Sequence, residues 1–147
     1  MDFIYVLKWY FQLQNGLSSY AYCLRDENGD IIFAKGARIE NTTSTMAEAV
    51  AILEASKHCK NSQYNQVIIQ TDSMLMCKVL KGKWVTPWAL SDIVEEIKTC
   101  LQDKQYTFQH ILREGNQLAD YIANKAIEQG PADMKISIAL NHTERES

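Results

Sequence analysis

His110-Ile-Leu-Arg-Glu-Gly-Asn-Gln-Leu-Ala-Asp120 holds the sharpest change of pattern in the chain. Residues Tyr106 to Leu112 read as a strand, and Glu114-Gly115 then supplies a tight turn, since glycine reaches positive φ at no steric cost. Asn116 is a good helix N-cap, and Leu118, Ile122 and Ala126 give the next segment the apolar stripe of a helix. An imidazole (His110), a guanidinium (Arg113), an amide (Asn116) and a carboxylate (Asp120) are thereby gathered at one strand-to-helix joint.

Upstream of this joint, Leu90, Ile93, Val94, Ile97 and Leu101 recur at helical spacing, and Thr86-Pro87 predicts the start of that helix, with proline at its first position. Thr71-Asp72-Ser73 opens a shorter helix that stops at Lys81-Gly82, with glycine placed just past its end. Val67 to Gln70 is a short apolar run, as expected of a buried strand. A helix spans Met46 to Cys59, and Thr45-Met-Ala-Glu48 has the spelling of a capping box. Three strands precede it: residues 3 to 13, Ser19 to Arg25 and Ile31 to Ala37. Asn28-Gly29 predicts a primed hairpin turn between the last two. The order βββ, αβ, αα, βα implies an α/β fold, a five-stranded mixed sheet in which an antiparallel meander is extended by parallel strands and flanked by helices. Residues 1–130 form one domain, helix end at Gly130-Pro131, and 131–147 form a loosely held tail, polar apart from Met134 to Leu140.

With 147 residues and 46% hydrophobic content, one core is well supplied. The net charge of −3 gives no global positive field toward nucleic acid, so any such binding needs a local patch. Cys23, Cys59, Cys77 and Cys100 are scattered without a C-x-x-C pair, which points to free thiols in a reducing compartment rather than to zinc. No apolar run approaches the ~18 residues of a membrane span. Phe3 to Leu7 is too short for a signal segment. The expectation is an intracellular monomer with no membrane partner, nucleus or cytoplasm left open.

Three acids occupy similar settings: Glu48 in the first turn of a helix, Asp72 between a strand and a helix, Asp120 one turn into a helix. Each has a plain structural reading, as capping-box partner, N-cap and helix-dipole partner respectively. Against that, Glu48 lies in register with Ile52, Ala55 and Cys59 on the helix's less polar side. Asp72 and Asp120 both follow strands, and carboxylates at neighbouring strand ends converge on the kind of spot where hard divalent cations bind.

Across residues 17 to 128 the chain resembles the ribonuclease H domain of plant retroelement-type proteins, those associated with non-LTR reverse transcriptases. The resemblance is carried by Leu24-Arg-Asp-Glu-Asn-Gly29, Ala47-Glu48-Ala49, Thr71-Asp72-Ser73 and the long final motif from His110 to Asp120. It implies an endonuclease that cuts the RNA strand of an RNA–DNA hybrid with two Mg²⁺ (or Mn²⁺) ions. Glu48, Asp72 and Asp120 would be metal ligands, and His110 would serve proton transfer or product departure. For His110 the plain alternative is a strand-end histidine bonded to a backbone carbonyl. Ser44, Thr45, Ser73 and Asn116 would approach RNA 2′-hydroxyls, with Arg113 also on the substrate side. Lys81 and Lys83, beside Lys78, Trp84 and Trp88, would grip the DNA backbone. The plain alternative there is a helix end welcoming cations, with both tryptophans wedged into the core.

One family residue is missing. The first strand of such domains ends in Asp-Gly-Ser, and a gapless count back from Leu24-Arg25-Asp26 puts Lys8, Trp9 and Tyr10 at those places. Residues 1–16 are thus an atypical first strand, from a diverged copy or a mispredicted exon. An ammonium there competes with cations for neighbouring acids. Three functions follow: a hybrid endoribonuclease, a non-catalytic nucleic-acid-binding domain, or a vestigial interaction domain using the apolar face of residues 3 to 13.

Overall fold

The computed structural model describes the backbone of residues 3–12, 17–40, 42–112 and 134–135, with side chains described for 20–39 and 42–112. The strands are β1 (Phe3–Gln12), β2 (Leu17–Arg25), β3 (Ile31–Glu40), β4 (Gln66–Thr71), β5 (Gln105–His110) and β6 (Met134–Lys135). The helices are α1 (Ser44–Lys60), α2 (Met74–Leu80) and α3 (Ser91–Leu101), the last preceded by a 3₁₀ turn at Trp88–Leu90. The strand order is β5-β4-β1-β2-β3-β6. The meander β1-β2-β3 is antiparallel, and β4 and β5 add in parallel beside β1.

The sheet therefore has six strands rather than five. The sixth comes from the tail, where Met134–Lys135 pairs antiparallel with Lys35–Gly36. The helix expected after Asn116, and the tail apart from β6, lie outside the described residues.

Both faces of the central sheet are buried. Tyr20, Tyr22 and Leu24 alternate with Ala21 and Cys23 along β2, and all five are buried. That near-continuous burial is the mark of a strand covered on both sides. The main core gathers Tyr22, Leu24, Val67, Ile69 and Phe108 of the sheet under α1, α2 and α3. Within α1, Ala47, Ala49, Ala51 and Ala55 are fully buried, so the helix is enclosed on several sides rather than along one stripe. Short side chains allow that close approach. Lys104, just after α3, donates from Nζ to the Ser62 and Tyr64 carbonyls and fastens the loop between α1 and β4. All four cysteines are free and buried. Burial pushes the Cys59 thiol up to about 12, with Lys104 opposing the shift, which leaves it a poor nucleophile or metal ligand.

Several local expectations are corrected. The hairpin turn is not a two-residue primed turn. Asp26 N donates to the Asp30 carbonyl at 2.9 Å, leaving Glu27-Asn28-Gly29 as a three-residue loop. Asp26 Oδ1 accepts from the amides of Asn28 and Asp30, each at 2.9 Å, and Gly29 takes the positive φ of 84° that such loops need. Likewise α1 begins earlier than its apolar periodicity indicated, because Thr43 is the N-cap, its Oγ1 accepting from Met46 N at 3.1 Å. Thr45 lies inside the helix, so the Thr45–Glu48 capping box does not form. Pro87 precedes the 3₁₀ turn, and α3 itself starts at Ser91. β5 ends at His110, two residues short of Leu112. The expected stop of α2 is observed: Lys81 is the C-cap and Gly82 follows at φ 77°.

Replacing Thr43 by alanine removes the cap acceptor while leaving a half-turn of polar surface intact. The expected loss is about 1 kcal/mol, or a fall in Tm of about 3 °C for a chain of this size, read by thermal unfolding. Thr45→Ala should change Tm by much less, whereas a capping box at Thr45 would reverse that order.

Candidate nucleic-acid interface

Three parallel strands, β1, β4 and β5, finish at the same end of the sheet. In open α/β sheets, ligands bind outside the carboxyl ends of the strands. Asp72 follows the end of β4 and His110 ends β5, while Lys8 lies within β1, four residues before its end at Gln12. Leu7 pairs with Gln70, so Lys8 on β1 stands level with Thr71, one residue before Asp72. Thr71 in turn pairs with His110 on the far side.

The chain fixes the Thr71–Ser73 corner through four hydrogen bonds. Thr71, fully buried, accepts the Ser73 amide on Oγ1 at 3.0 Å. Its carbonyl accepts the Ile111 amide at 2.9 Å. Ser73 Oγ caps α2 by accepting Met76 N at 3.2 Å. The fourth contact joins His110 Nε2 to the Asp72 carbonyl at 3.3 Å. Ser73, not Asp72, is therefore the N-cap, and Asp72 is left half-buried at the corner with its Oδ1 withdrawn from solvent. His110 makes the backbone-carbonyl contact of its plain reading, and that contact holds the exposed imidazole beside Asp72. Thr71 was missed as a positioning residue. A threonine two residues before a capping serine, at a strand end, is the signal that marks it.

Glu48 is half-buried in α1. With Thr43 as N-cap it stands five positions in, too deep to close a capping box. Ile52, Ala55 and Cys59, its stripe partners, are fully buried, so Glu48 sits at the open end of the helix's most enclosed face. A five-residue loop joins α1 to β4, and α1 packs on β1 and β2. The helix thus runs back along the sheet, with its start, and Glu48, toward the strand ends of Asp72 and His110. Structural duties proposed for Glu48 and Asp72 as capping groups fall away. Ser44 is exposed and Thr45 half-buried in the same first turn. Arg113, Asn116 and Asp120 lie outside the described residues.

A divalent cation needs several oxygen ligands gathered at one point. Among the described residues no group of three His, Cys, Asp or Glu side chains is placed to hold one. In the register of β1 against β4, the position level with Thr71, one residue before Asp72, belongs to Lys8. Asp120, the third acid the resemblance implies as a ligand, lies outside the described residues.

Past α2 the surface changes character. Lys81 and Lys83 are exposed, Trp84 is 49% exposed, and Trp88 is 89% exposed. The tryptophans are not wedged into the core. Leu90 takes the buried place instead, since the 3₁₀ turn rotates Trp88 outward while Leu90 faces α3. Val85, 93% exposed, completes a raised apolar and basic tip. α2, seven residues long and so about 10 Å from end to end at ~1.5 Å per residue, separates this tip from the Asp72 corner. No helix among the described residues is long and apolar enough to cross a membrane.

The family model described as reverse transcriptase-like matches residues 10–126. Its span begins past Lys8 and Trp9. Among solved structures, RNase H1 of the archaeon Halobacterium salinarum superposes with a TM-score of 0.79 at 23% identity, covering 87% of this chain and 99% of that one. The N-terminal RNase H domain of Rv2228c from Mycobacterium tuberculosis gives 0.79 at 16% identity, over 88% and 96%. LC11-RNase H1, isolated from compost by a metagenomic approach and solved in complex with an RNA/DNA hybrid, gives 0.77 at 24% identity, over 86% and 97%. At these identities the likeness establishes an RNase H-like fold. No curated protein matches the chain in sequence.

Proposed function

We propose, since this chain belongs to the reverse transcriptase-like family, that it binds RNA–DNA hybrids across the surface between the Asp72 corner and the Lys81–Trp88 tip, and holds them without metal-dependent cleavage. The observation that carries the reading is the exposure of Trp84 and Trp88 beside Lys81 and Lys83. Large aromatics are rarely left in water without a partner, and indoles with lysines suit a sugar–phosphate backbone. The hydroxyls of Ser44, Thr45 and Ser73 would meet the RNA strand, because the 2′-hydroxyl is what separates RNA from DNA at a given site. Ser73 Oγ accepts the Met76 amide and still has its own proton to donate. The non-cleaving part of the reading rests on Lys8. The plant retroelement-type origin belongs to this proposal too, supported by the spelling of the His110–Asp120 motif.

The test is fluorescence anisotropy of labelled hybrid, duplex DNA and duplex RNA at low salt with EDTA present. Hybrid should bind tightest. Equal affinity for hybrid and duplex DNA, or no binding at all, would favour an interaction domain instead. Hybrid cleavage by the unaltered protein on adding Mg²⁺ or Mn²⁺ would overturn the non-cleaving part while leaving the binding part standing.

Salt dependence gives a second check. Each lysine that neutralises a phosphate contributes roughly one unit to the slope of log affinity against log salt. Lys81→Ala and Lys83→Ala should each flatten that slope by about one unit, and weaken hybrid and duplex alike. An unchanged slope would remove these lysines from the interface.

A further inference from the structure

We infer that the outer edge of β5 is a self-association surface, on which a second copy of this chain adds its own β5 antiparallel across a two-fold axis at Thr107. This does not rest on the nucleic-acid reading. Among the described strands β5 is the last on its side of the sheet and pairs with β4 alone. Its Gln105 and Ile111 amides donate to the Asn65 and Thr71 carbonyls, both at 2.9 Å. Peptide groups alternate sides along a strand, so Tyr106, Phe108 and His110 turn their N–H and C=O groups outward. Sheet edges are commonly blunted by a proline, a charged side chain or a bulge. From Gln105 to His110 there is no proline, lysine, arginine or acid, and the register against β4 is unbroken.

Self-complementarity argues for a second copy rather than an unrelated strand. Gln105, Thr107 and Gln109 share one face of β5, and all three are exposed. On that face Gln66 Nε2 donates to Gln105 Oε1 at 3.2 Å, and Gln70 Nε2 donates to Gln109 Oε1 at 3.1 Å. Two amide rungs thus already cross from β4 to β5. The outward backbone groups permit only registers that pair 106, 108 and 110 among themselves. Centring the axis on Thr107 pairs Tyr106 with the second copy's Phe108 and sets Gln105 opposite its Gln109. The glutamines then form a non-hydrogen-bonded pair, where side chains across two strands come closest. Their free NH₂ groups donate across the junction, and each rung continues from one sheet into the other. Moving the axis to Phe108 sets Gln105 against Ile111, and moving it to Tyr106 sets Gln109 against Asp103. On the opposite face Tyr106, 36% exposed and in edge contact with Phe108 at 5.5 Å, gains the second copy's Phe108 as a neighbour. Lys104 falls opposite His110, but its ammonium is occupied by the Ser62 and Tyr64 carbonyls. The contact is one short strand on each side, so the dimer is weak and exchanges with monomer.

Sedimentation equilibrium of the full chain, from micromolar to millimolar concentration, tests this. A concentration-dependent dimer is expected. Thr107 faces its own copy across the axis, so Thr107→Lys or Thr107→Glu sets like charges directly opposite. Each should raise the dissociation constant at least about tenfold. Mixing the two variants in equal amounts should restore association, because each lysine then meets a glutamate. Thr107 is exposed, and both variants should melt within about 3 °C of the parent. A parent that stays monomeric throughout would overturn the inference. Self-association that neither substitution weakens would place the interface elsewhere and overturn it as well. A mixture no more associated than its components would count equally against it.

Discussion

Lys8→Asp raises the affinity of this protein for Mg²⁺ by on the order of 100-fold and lowers its stability without metal. The substitution replaces one positive charge by one negative charge at the β1 position level with Thr71, one residue before Asp72. Unit charges 4 Å apart interact by about 1 kcal/mol even at the dielectric constant of water, and a two-unit swing against a dication multiplies that several-fold before screening. A 100-fold change corresponds to about 2.8 kcal/mol, well inside that range. Without the cation, the new carboxylate adds a negative charge to the region of Asp72. Thermal unfolding should therefore show a lower Tm in EDTA and a steeper rise of Tm with Mg²⁺ than in the parent, because stabilisation by a ligand follows its affinity. Trp9 and Tyr10 stand where the resembling family has Gly-Ser, so hybrid cleavage should appear most clearly in the triple variant Lys8→Asp, Trp9→Gly, Tyr10→Ser. Equal Mg²⁺ affinity in parent and variant would show that Lys8 is not at the acid site.

The Trp84→Ala, Trp88→Ala double variant loses about 100-fold in hybrid affinity with little loss of fold stability. Base or sugar contacts to an aromatic face contribute about 1–3 kcal/mol each. Trp88, 89% exposed, has almost nothing to lose on truncation, and Trp84, 49% exposed, has only part of its packing at stake. Surface changes of this kind stay within about 0.5 kcal/mol apiece. The diagnostic result is the separation of the two readouts: anisotropy shows weak binding while Tm moves by no more than ~2 °C. A matching fall in stability would mean that the indoles serve packing. Unchanged affinity would move the interface elsewhere and leave the tip without a role in binding.

The sequence by itself determined the order of the elements and the faces they bury. Periodicity is a local property, so the alternating and helical stretches announced β1 to β5 and α1 to α3 within a few residues of their observed ends. Gly82 marked the end of α2 for an equally local reason, its freedom at positive φ. The lysine at position 8 also needed no structure, only a count of residues. What required the tertiary structure was every matter of competition between neighbours. Thr43 and Thr45 offer the same cap hydroxyl, and Asp72 and Ser73 are both favoured N-cap residue types. In the folded chain Thr43 and Ser73 are the caps, and Glu48 and Asp72 are not. Trp88 and Leu90 are both apolar and two residues apart, and only the turn into α3 decided that Leu90 faces inward while Trp88 meets water. The sixth strand was illegible for a related reason. Its pairing partner, Lys35–Gly36, lies about a hundred residues away along the chain, and no local pattern encodes a contact across that distance.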